Sequence, residues 1–278
     1  ILLSLSSSSP GDDSIDNLML KFSSPSFKRI ILDFFNAIVD KSSIPEAWKV
    51  SKVKMIGKKS SGSSNPDDYR PISLTSCLSK LFERLVHGRI YHFLESKKLI
   101  NKCQSGFRTS RSTKDHLFFL SQKVKEALIR KKRVCSFFFD ISKAFDSVWH
   151  EGLIFKMKKL EIPNHLVSIV QSFLSNRSFY VEVEDEKSSS RRVENGVPQG
   201  SVLGPLLFTI FINDIPTRND KNKEYSMLFA DDLTTLFIFR QPGKMIASVK
   251  RYLLQFEKWL FKWRFKLSVN KSCYSIFS

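Results

Sequence analysis

What is scarce in this chain narrows its function before any motif is read. Acidic residues are outnumbered: 27 Asp and Glu stand against 45 Lys and Arg, leaving a formal net charge of +18. Such an excess sets up a positive field that attracts polyanions, and nucleic acid is the expected partner. An acidic membrane surface would also attract the charge, but the basic residues run through the whole chain instead of clustering on one amphipathic helix. Cysteine is sparse, and Cys77, Cys103, Cys135 and Cys273 stand far apart with no CxxC pair. That argues against a zinc knuckle and a disulfide framework, and it fits a reducing compartment. Long apolar runs are missing too: the longest, around Leu206 to Ile212, is far too short to span a bilayer. Ile1-Leu2-Leu3 and the serines after it lack the charged start and long apolar stretch of a signal peptide. His87, His92, His116, His150 and His165 show no metal-ligand spacing and read as structural or surface groups. No methionine opens the chain and its last motif ends almost with it, so a fragment of a longer polypeptide is expected.

What is present is a globular composition, 42% hydrophobic with 25 phenylalanines. A serine-rich leader precedes Phe27, Ile30, Ile31, Phe34, Phe35 and Ile38, whose helical spacing predicts a helix that stops by Pro45. Val50 to Ile56 alternates as a half-exposed strand would, and 57–69 reads as a loop or hairpin tip. Helices are expected at Leu78 to Leu94, Lys114 to Lys131, 151–160 and 165–175, with a buried strand at Val134 to Phe139. Phe179 to Val183 and Arg191 to Glu194 suggest an exposed hairpin turning at Ser188–Ser190. Pro205 suits the first turn of a helix. Met227 to Ala230 and Leu233 to Phe239 form two apolar runs around Asp231-Asp232, followed by a helix from about Lys244 to Trp263 and a strand near Tyr274 to Phe277. Tyr252, Trp259 and Trp263 are placed towards the core of that helix rather than as base-stacking platforms. Irregularly spaced helices among strands predict an α+β domain.

Two sets of carboxylates do not fit ordinary roles. Phe-Ala-Asp-Asp-Leu at 229–233 puts like charges side by side where a two-residue hairpin turn favours Asn-Gly or Asp-Gly. Either the turn is solvated and the charges cost little, or a divalent cation neutralises them. In Phe-Phe-Phe-Asp-Ile-Ser-Lys-Ala-Phe-Asp at 137–146, Asp140 ends a wholly apolar strand. A helix N-cap is the plain alternative, and Asp146 fits it better. If both strands lie in one sheet, Asp140 and Asp231 can share two Mg²⁺ ions about 3.5–4 Å apart, the arrangement used for in-line nucleotidyl transfer.

The order FFFDISKAFD, NGVPQGSVLGPLLF, FADD resembles the successive palm motifs of reverse transcriptases. YRPISL at 69–74 and QSGFRTSRST at 104–113 resemble finger motifs of the non-LTR and group II intron branch, and KLSVNKSCYSIF resembles the closing palm motif of LINE-type retrotransposons. The resemblance covers roughly residues 44–278. It implies a right-hand polymerase fold with an antiparallel palm sheet packed on helices. Fingers would take 27–132 and 151–193, palm 133–150 and 194–278, with 1–26 a flexible leader and the thumb absent. Asp140 and Asp231 would ligate two Mg²⁺ ions (Mn²⁺ a possible substitute), with Asp232 supporting and Ile141 helping through its carbonyl. Phe145 would be the gate against a ribose 2′-hydroxyl, where a plain core phenylalanine is the alternative. Gln199 and Gly200 would contact the incoming nucleotide, and Arg70 would clamp its triphosphate. Lys58 or Lys59 would partner Arg70, unless they form an ordinary solvated pair. Arg108 and Arg111 would touch the template, and Lys271 would donate a proton to pyrophosphate. The partners implied are an RNA template, a DNA primer or target and dNTPs, within an intracellular ribonucleoprotein of nucleus or cytoplasm. A viral RNA-dependent RNA polymerase would share the carboxylates but not Phe at 145, and a two-metal nuclease has no use for the GVPQG loop. A silent transposon remnant that only binds RNA through its basic clusters remains the alternative.

Overall fold

The computed structural model describes residues 9–57, 65, 68–184, 186–218 and 224–278. The chain forms two compact units, each built from two separate stretches: one up to Leu99 plus His150–Leu207, the other Ile100–Trp149 plus Phe208–Ser278.

The first unit opens with α1 (Asn17–Phe22) and α2 (Pro25–Lys41). Ser24 accepts from the Phe27 amide to cap α2, and Pro25 occupies its first turn, where its missing N–H costs nothing. Ile31, Phe35 and Ile38 are the buried stripe, whereas Phe27, Ile30 and Phe34, expected on the same face, are exposed. In α3 (Cys77–Ser96) the buried face is Leu81, Phe82, Val86, Ile90 and Leu94. Phe35 and Phe82 meet edge to face at 5.3 Å beside Trp48.

The sheet of this unit runs β2-β1-β4-β5, with β6 also on β4. β1 (Val50–Gly57) and β2 (Tyr69–Leu74) pair antiparallel from Lys52↔Leu74 to Gly57↔Tyr69. β4 (Ser178–Val183) lies parallel to β1, Val50 opposite Ser178. The expected antiparallel pairing of this strand with the segment from Arg191 is present at Phe179↔Arg191, but the exposed hairpin is corrected on two counts. β4 is an inner strand, and its tight partner is β5 (Glu186–Lys187), with Glu182 opposite Lys187. The reversal falls after Val183, not at Ser188–Ser190, and β6 (Arg191–Arg192) returns to the start of β4. Polar alternation signals strands but says nothing about which neighbour they choose.

In the same unit α5 (His150–Lys159) and α6 (Asn164–Leu174) pack on each other. Arg177, 2% exposed, donates to the Phe173 carbonyl and the Ser51 hydroxyl. The nearby Glu83 carboxylate, 1% exposed, accepts from the amides of Val202 and Leu203 and from Ser79. Burial pushes the Glu83 carboxyl upward, against the pull of those amides and of Arg177.

The second unit is an antiparallel sheet in the order β7-β8-β3-β9. β3 (Arg133–Phe139) is paired on both sides, to β8 (Asp232–Phe239) and β9 (Cys273–Phe277); from Val134 to Phe139 its residues are apolar apart from the buried Ser136, as suits a strand covered on both faces. β7 (Glu224–Phe229) closes the sheet against β8. On one face α4 (Thr113–Ile129) brings Ala127 against Val134, Met227, Leu236 and Ile238. On the other, α8 (Pro242–Lys262) stacks Tyr252 and Phe256 on Phe139 and Phe237. Tyr252, Trp259 and Trp263 are all buried, as their spacing predicts. Residues 100–132 belong with this unit because α4 lies on β3. The compact units thus divide at 99/100, 149/150 and 207/208, whereas the motif order places finger and palm boundaries at 132/133, 150/151 and 193/194. A short α7 (Gly204–Phe211) follows the GVPQG loop.

Replacing Arg177 removes a cation whose field favours the Glu83 carboxylate and leaves the Phe173 carbonyl and the Ser51 hydroxyl without a buried donor. Arg177→Met should therefore lower unfolding free energy by about 1–3 kcal/mol, read as the guanidinium midpoint.

Candidate active site

β3 and β8 bring the acidic residues to one end of one sheet. The last paired residues are Phe139 and Leu233, so Asp140 leaves β3 where Asp232 enters β8. Asp232 is not part of the turn, which corrects the reading of 229–233: it pairs with Phe229 as the first residue of β8. The two-residue turn is Ala230-Asp231, with Ala230 at φ 54°. Left-handed backbone was expected at this hairpin, but the alanine supplies it, and Asp231 is lifted to the tip.

The closing segment wraps Asp140. Ser268 donates its amide to the Asp140 carbonyl at 2.8 Å, and the Ser272 hydroxyl accepts from the Asp140 amide at 3.2 Å. Ile141 bridges to Leu267 and is buried. This brings Lys271 Nζ to 3.8 Å from Asp140 Oδ2, a distance for attraction and not for a hydrogen bond. Asp140 Oδ2 is buried with no hydrogen-bond partner among the described residues.

Burial pushes the Asp231 carboxyl above the ordinary range, and the charges of Asp232 and Asp140 push it further, with Lys271 pulling back. Asp232 is raised by burial and by Asp140. Three carboxylates thus crowd one another without a matching set of cations. Among the described residues no three His, Cys, Asp or Glu side chains are already gathered around one point. The donor set nevertheless fits a hard divalent cation: all oxygen, mutually repelling, with one orphaned carboxylate oxygen.

Phe145 stands in a short turn, Phe145–Ser147, four positions past Ile141 and half-buried. Its ring stacks on Phe208 at 4.4 Å and meets Phe107 edge-on at 6.2 Å. Arg108 donates to the carbonyls of Asn101 and Gln104, so its guanidinium is engaged with its own loop. Arg111 lines a groove of about 300 Å³ with Lys102, His116, Phe119, Arg218 and Tyr225.

The remaining expected contacts lie in the first unit. Arg70 is exposed on β2 opposite Ile56. Gln199 accepts the Ser73 amide on its carbonyl at 2.8 Å. Gly200, at φ 115°, lies so close to β2 that a Cβ would stand 2.6 Å from the Ser73 carbonyl oxygen. No L side chain fits there, which is why the loop has glycine. His150 holds the Gly196 carbonyl of the same loop at 2.7 Å, a structural role as expected. Lys58 and Lys59 lie outside the described residues. Sequence reasoning missed Ser272 and Gln104, whose hydroxyl and amide hold Asp140 and the Asp231 turn.

Among the described residues no helix is long and apolar enough to cross a membrane. Residues 56–276 match the family model described as "Reverse transcriptase (RNA-dependent DNA polymerase)". The chain is 34% identical over 267 residues to the RNA-directed DNA polymerase from mobile element jockey of Drosophila melanogaster, covering 94% of this chain and 29% of that protein. It is 35% identical over 269 residues to the probable RNA-directed DNA polymerase from transposon BS of the same organism, covering 95% and 30%. The chain therefore spans less than a third of the length of these curated relatives. Among solved structures, apo telomerase from Candida tropicalis truncated from its C-terminal domain aligns with TM-score 0.57 at 12% identity, over 94% of this chain and 60% of that one. Telomerase from Candida albicans in complex with the TWJ fragment of telomeric RNA aligns with TM-score 0.55 at 12% identity, over 87% and 45%. At that identity the likeness shows the fold, a right-hand polymerase architecture.

A carboxylate with a raised pKa binds its proton more tightly in the folded chain. The stability it contributes is present at low pH and lost as pH rises through the folded value. In chelator-treated protein, Asp232→Asn should therefore raise the melting temperature at neutral pH by roughly 1–3 °C. The gain should shrink as pH is lowered towards the carboxylate range.

Proposed function

The chain belongs to the reverse transcriptase family, in its LTR-lacking, LINE-type branch, and from that premise we propose that it carries the nucleotidyl-transfer site of an RNA-directed DNA polymerase. The observation that carries the reading is the crowding of Asp140, Asp231 and Asp232 at one end of an apolar sheet. Such a cluster of oxygen donors, held in place by the sheet, is suited to divalent cations.

Members of this family use divalent metal ions. Asp140 and Asp231 would hold a pair of Mg²⁺ ions, or Mn²⁺ in their place, with Asp232 beside them and the Ile141 carbonyl available as a further oxygen ligand. When bound, the ions activate the primer 3′-hydroxyl and hold the triphosphate through loss of pyrophosphate. The chain's own groups then position and screen. The Asp140 carboxylate lies 3.8 Å from the Lys271 ammonium, which keeps one cation beside the carboxylates. That proximity suits Lys271 as proton donor to the departing pyrophosphate. Phe145, fixed between Phe208 and Phe107, offers a flat wall where a ribose 2′-hydroxyl would otherwise sit. Gln199 and Gly200 would contact the incoming dNTP, and Arg70 would offer a planar fork for its phosphate oxygens. Lys58 would assist Arg70. Arg111, in its cationic and aromatic groove, would meet the RNA template, with Arg108 bracing the loop that carries it. Duplex affinity would come from the excess of basic residues and fall steeply with salt. A DNA primer or target completes the set of partners.

Primer extension on an RNA template with Mg²⁺ tests this directly. The chain should incorporate dNTPs, and Asp231→Asn should lower the rate by at least roughly 10²–10³-fold, as loss of a charge-stabilising group does. Phe145→Ala should let ribonucleotides in. Salt-sensitive RNA binding without incorporation would instead mark a silent RNA-binding remnant.

A further inference from the structure

The turn that lifts Asp231 is held from outside the hairpin. Residues 103–105 form a short parallel bridge with β7: the Leu228 amide donates to the Cys103 carbonyl at 2.9 Å, and the Ser105 amide to the Leu228 carbonyl at 2.8 Å. One step further along, the ladder would reach Ala230, but the backbone bridge ends there although Gly106 still runs close to that residue. The Gln104 side chain takes over there. Its Oε1 accepts the Ala230 amide at 3.1 Å and the Gly106 amide at 2.7 Å, and its Nε2 donates to the Ala230 carbonyl at 3.3 Å.

Three features show that this contact is specific. Gln104 is 1% exposed, so an unmade bond would not be replaced by water. Only one of the two amide orientations satisfies two N–H donors and one carbonyl together. And Gly106 runs so close to the turn that a Cβ would lie 2.2 Å from the Ala230 nitrogen, which leaves room for the amide bonds and nothing else. The residue so held is an alanine at positive φ, a conformation an L residue adopts only under constraint.

We propose that Gln104 is a positioning residue: by clasping both backbone groups of Ala230 it fixes the direction in which Asp231 presents its carboxylate to a divalent cation. The inference rests on the metal-binding role given above to Asp231, and it moves Gln104 from the template-facing loop of its motif to the support of the carboxylates. Gln104→Met removes all three bonds at similar volume. Gln104→Glu keeps the two acceptor contacts but loses the donation when ionised. When protonated, its O–H can donate to the Ala230 carbonyl and restore the set.

The test is Mn²⁺ binding to the chain without nucleic acid, read by electron paramagnetic resonance, with circular dichroism to confirm folding. Gln104→Met should weaken binding about tenfold, the scale of losing a partner that orients a metal ligand. Gln104→Glu should be similarly weak near pH 8 and approach the parent chain near pH 6, where a buried glutamate regains its proton. Should Gln104→Met fail to fold, the pH-dependent ratio of Gln104→Glu to parent decides alone. Folded variants that bind Mn²⁺ like the parent at both pH values would overturn the proposal. Parent and Asp231→Asn binding Mn²⁺ equally would overturn the carboxylate reading itself, and the Gln104 role with it.

Discussion

Repulsion among carboxylates is the constraint from which the second unit can be understood. Asp231 and Asp232 bind protons more tightly than ordinary carboxylates, first because they are buried and further because Asp140 stands beside them at one end of a sheet whose interior is apolar. Left to itself, such a cluster would splay apart. What prevents this is rigid pairing: β3 sits between β8 and β9, Ser268 and Ser272 tie down the backbone of Asp140, and the hairpin tip is clasped through Ala230. The protein thus holds charges together mechanically that electrostatics would separate. Preorganisation of this kind favours catalysis, because the cost of assembling the site is met during folding and not during turnover.

The first unit solves a different problem with the same means. Its GVPQG loop must come close to a strand, so Gly200 rests against the Ser73 carbonyl and Glu83 receives the amides of Val202 and Leu203 from within the core. A buried acid is an expensive way to fix a loop. Arg177 makes it tolerable, and its own donors are taken up by Phe173 and Ser51.

Much of this was legible in the sequence where a single physical signal dominated. The β3 run of apolar residues, the helical stripe of α8 and the order of the acidic motifs all correspond to what the structure contains. Legibility failed where several answers satisfy one pattern. Six apolar positions in α2 look alike in sequence, yet only Ile31, Phe35 and Ile38 are buried, and Phe34 meets Trp48 edge-on from an exposed position. The strand at Phe179–Val183 announced itself, but its parallel partner β1 and its turn beyond Val183 did not. Asp232 and Asp231 are adjacent in sequence, and nothing in Phe-Ala-Asp-Asp-Leu says that the alanine takes the positive φ and shifts the turn by one residue. Gln104 was invisible for a related reason: its function depends on a partner at Ala230 that only the tertiary fold supplies.

The interleaving of the two units along the chain has a bearing on how the molecule is made. β1 waits for β4, so the first unit stays incomplete until Ser178 has left the ribosome, by which time α4 and β3 of the second are already exposed. β3 in turn must wait for β8 and β9. During translation an apolar strand with two unsatisfied edges is therefore carried for more than ninety residues, a span that invites wrong pairing or aggregation. High contact order of this sort slows folding.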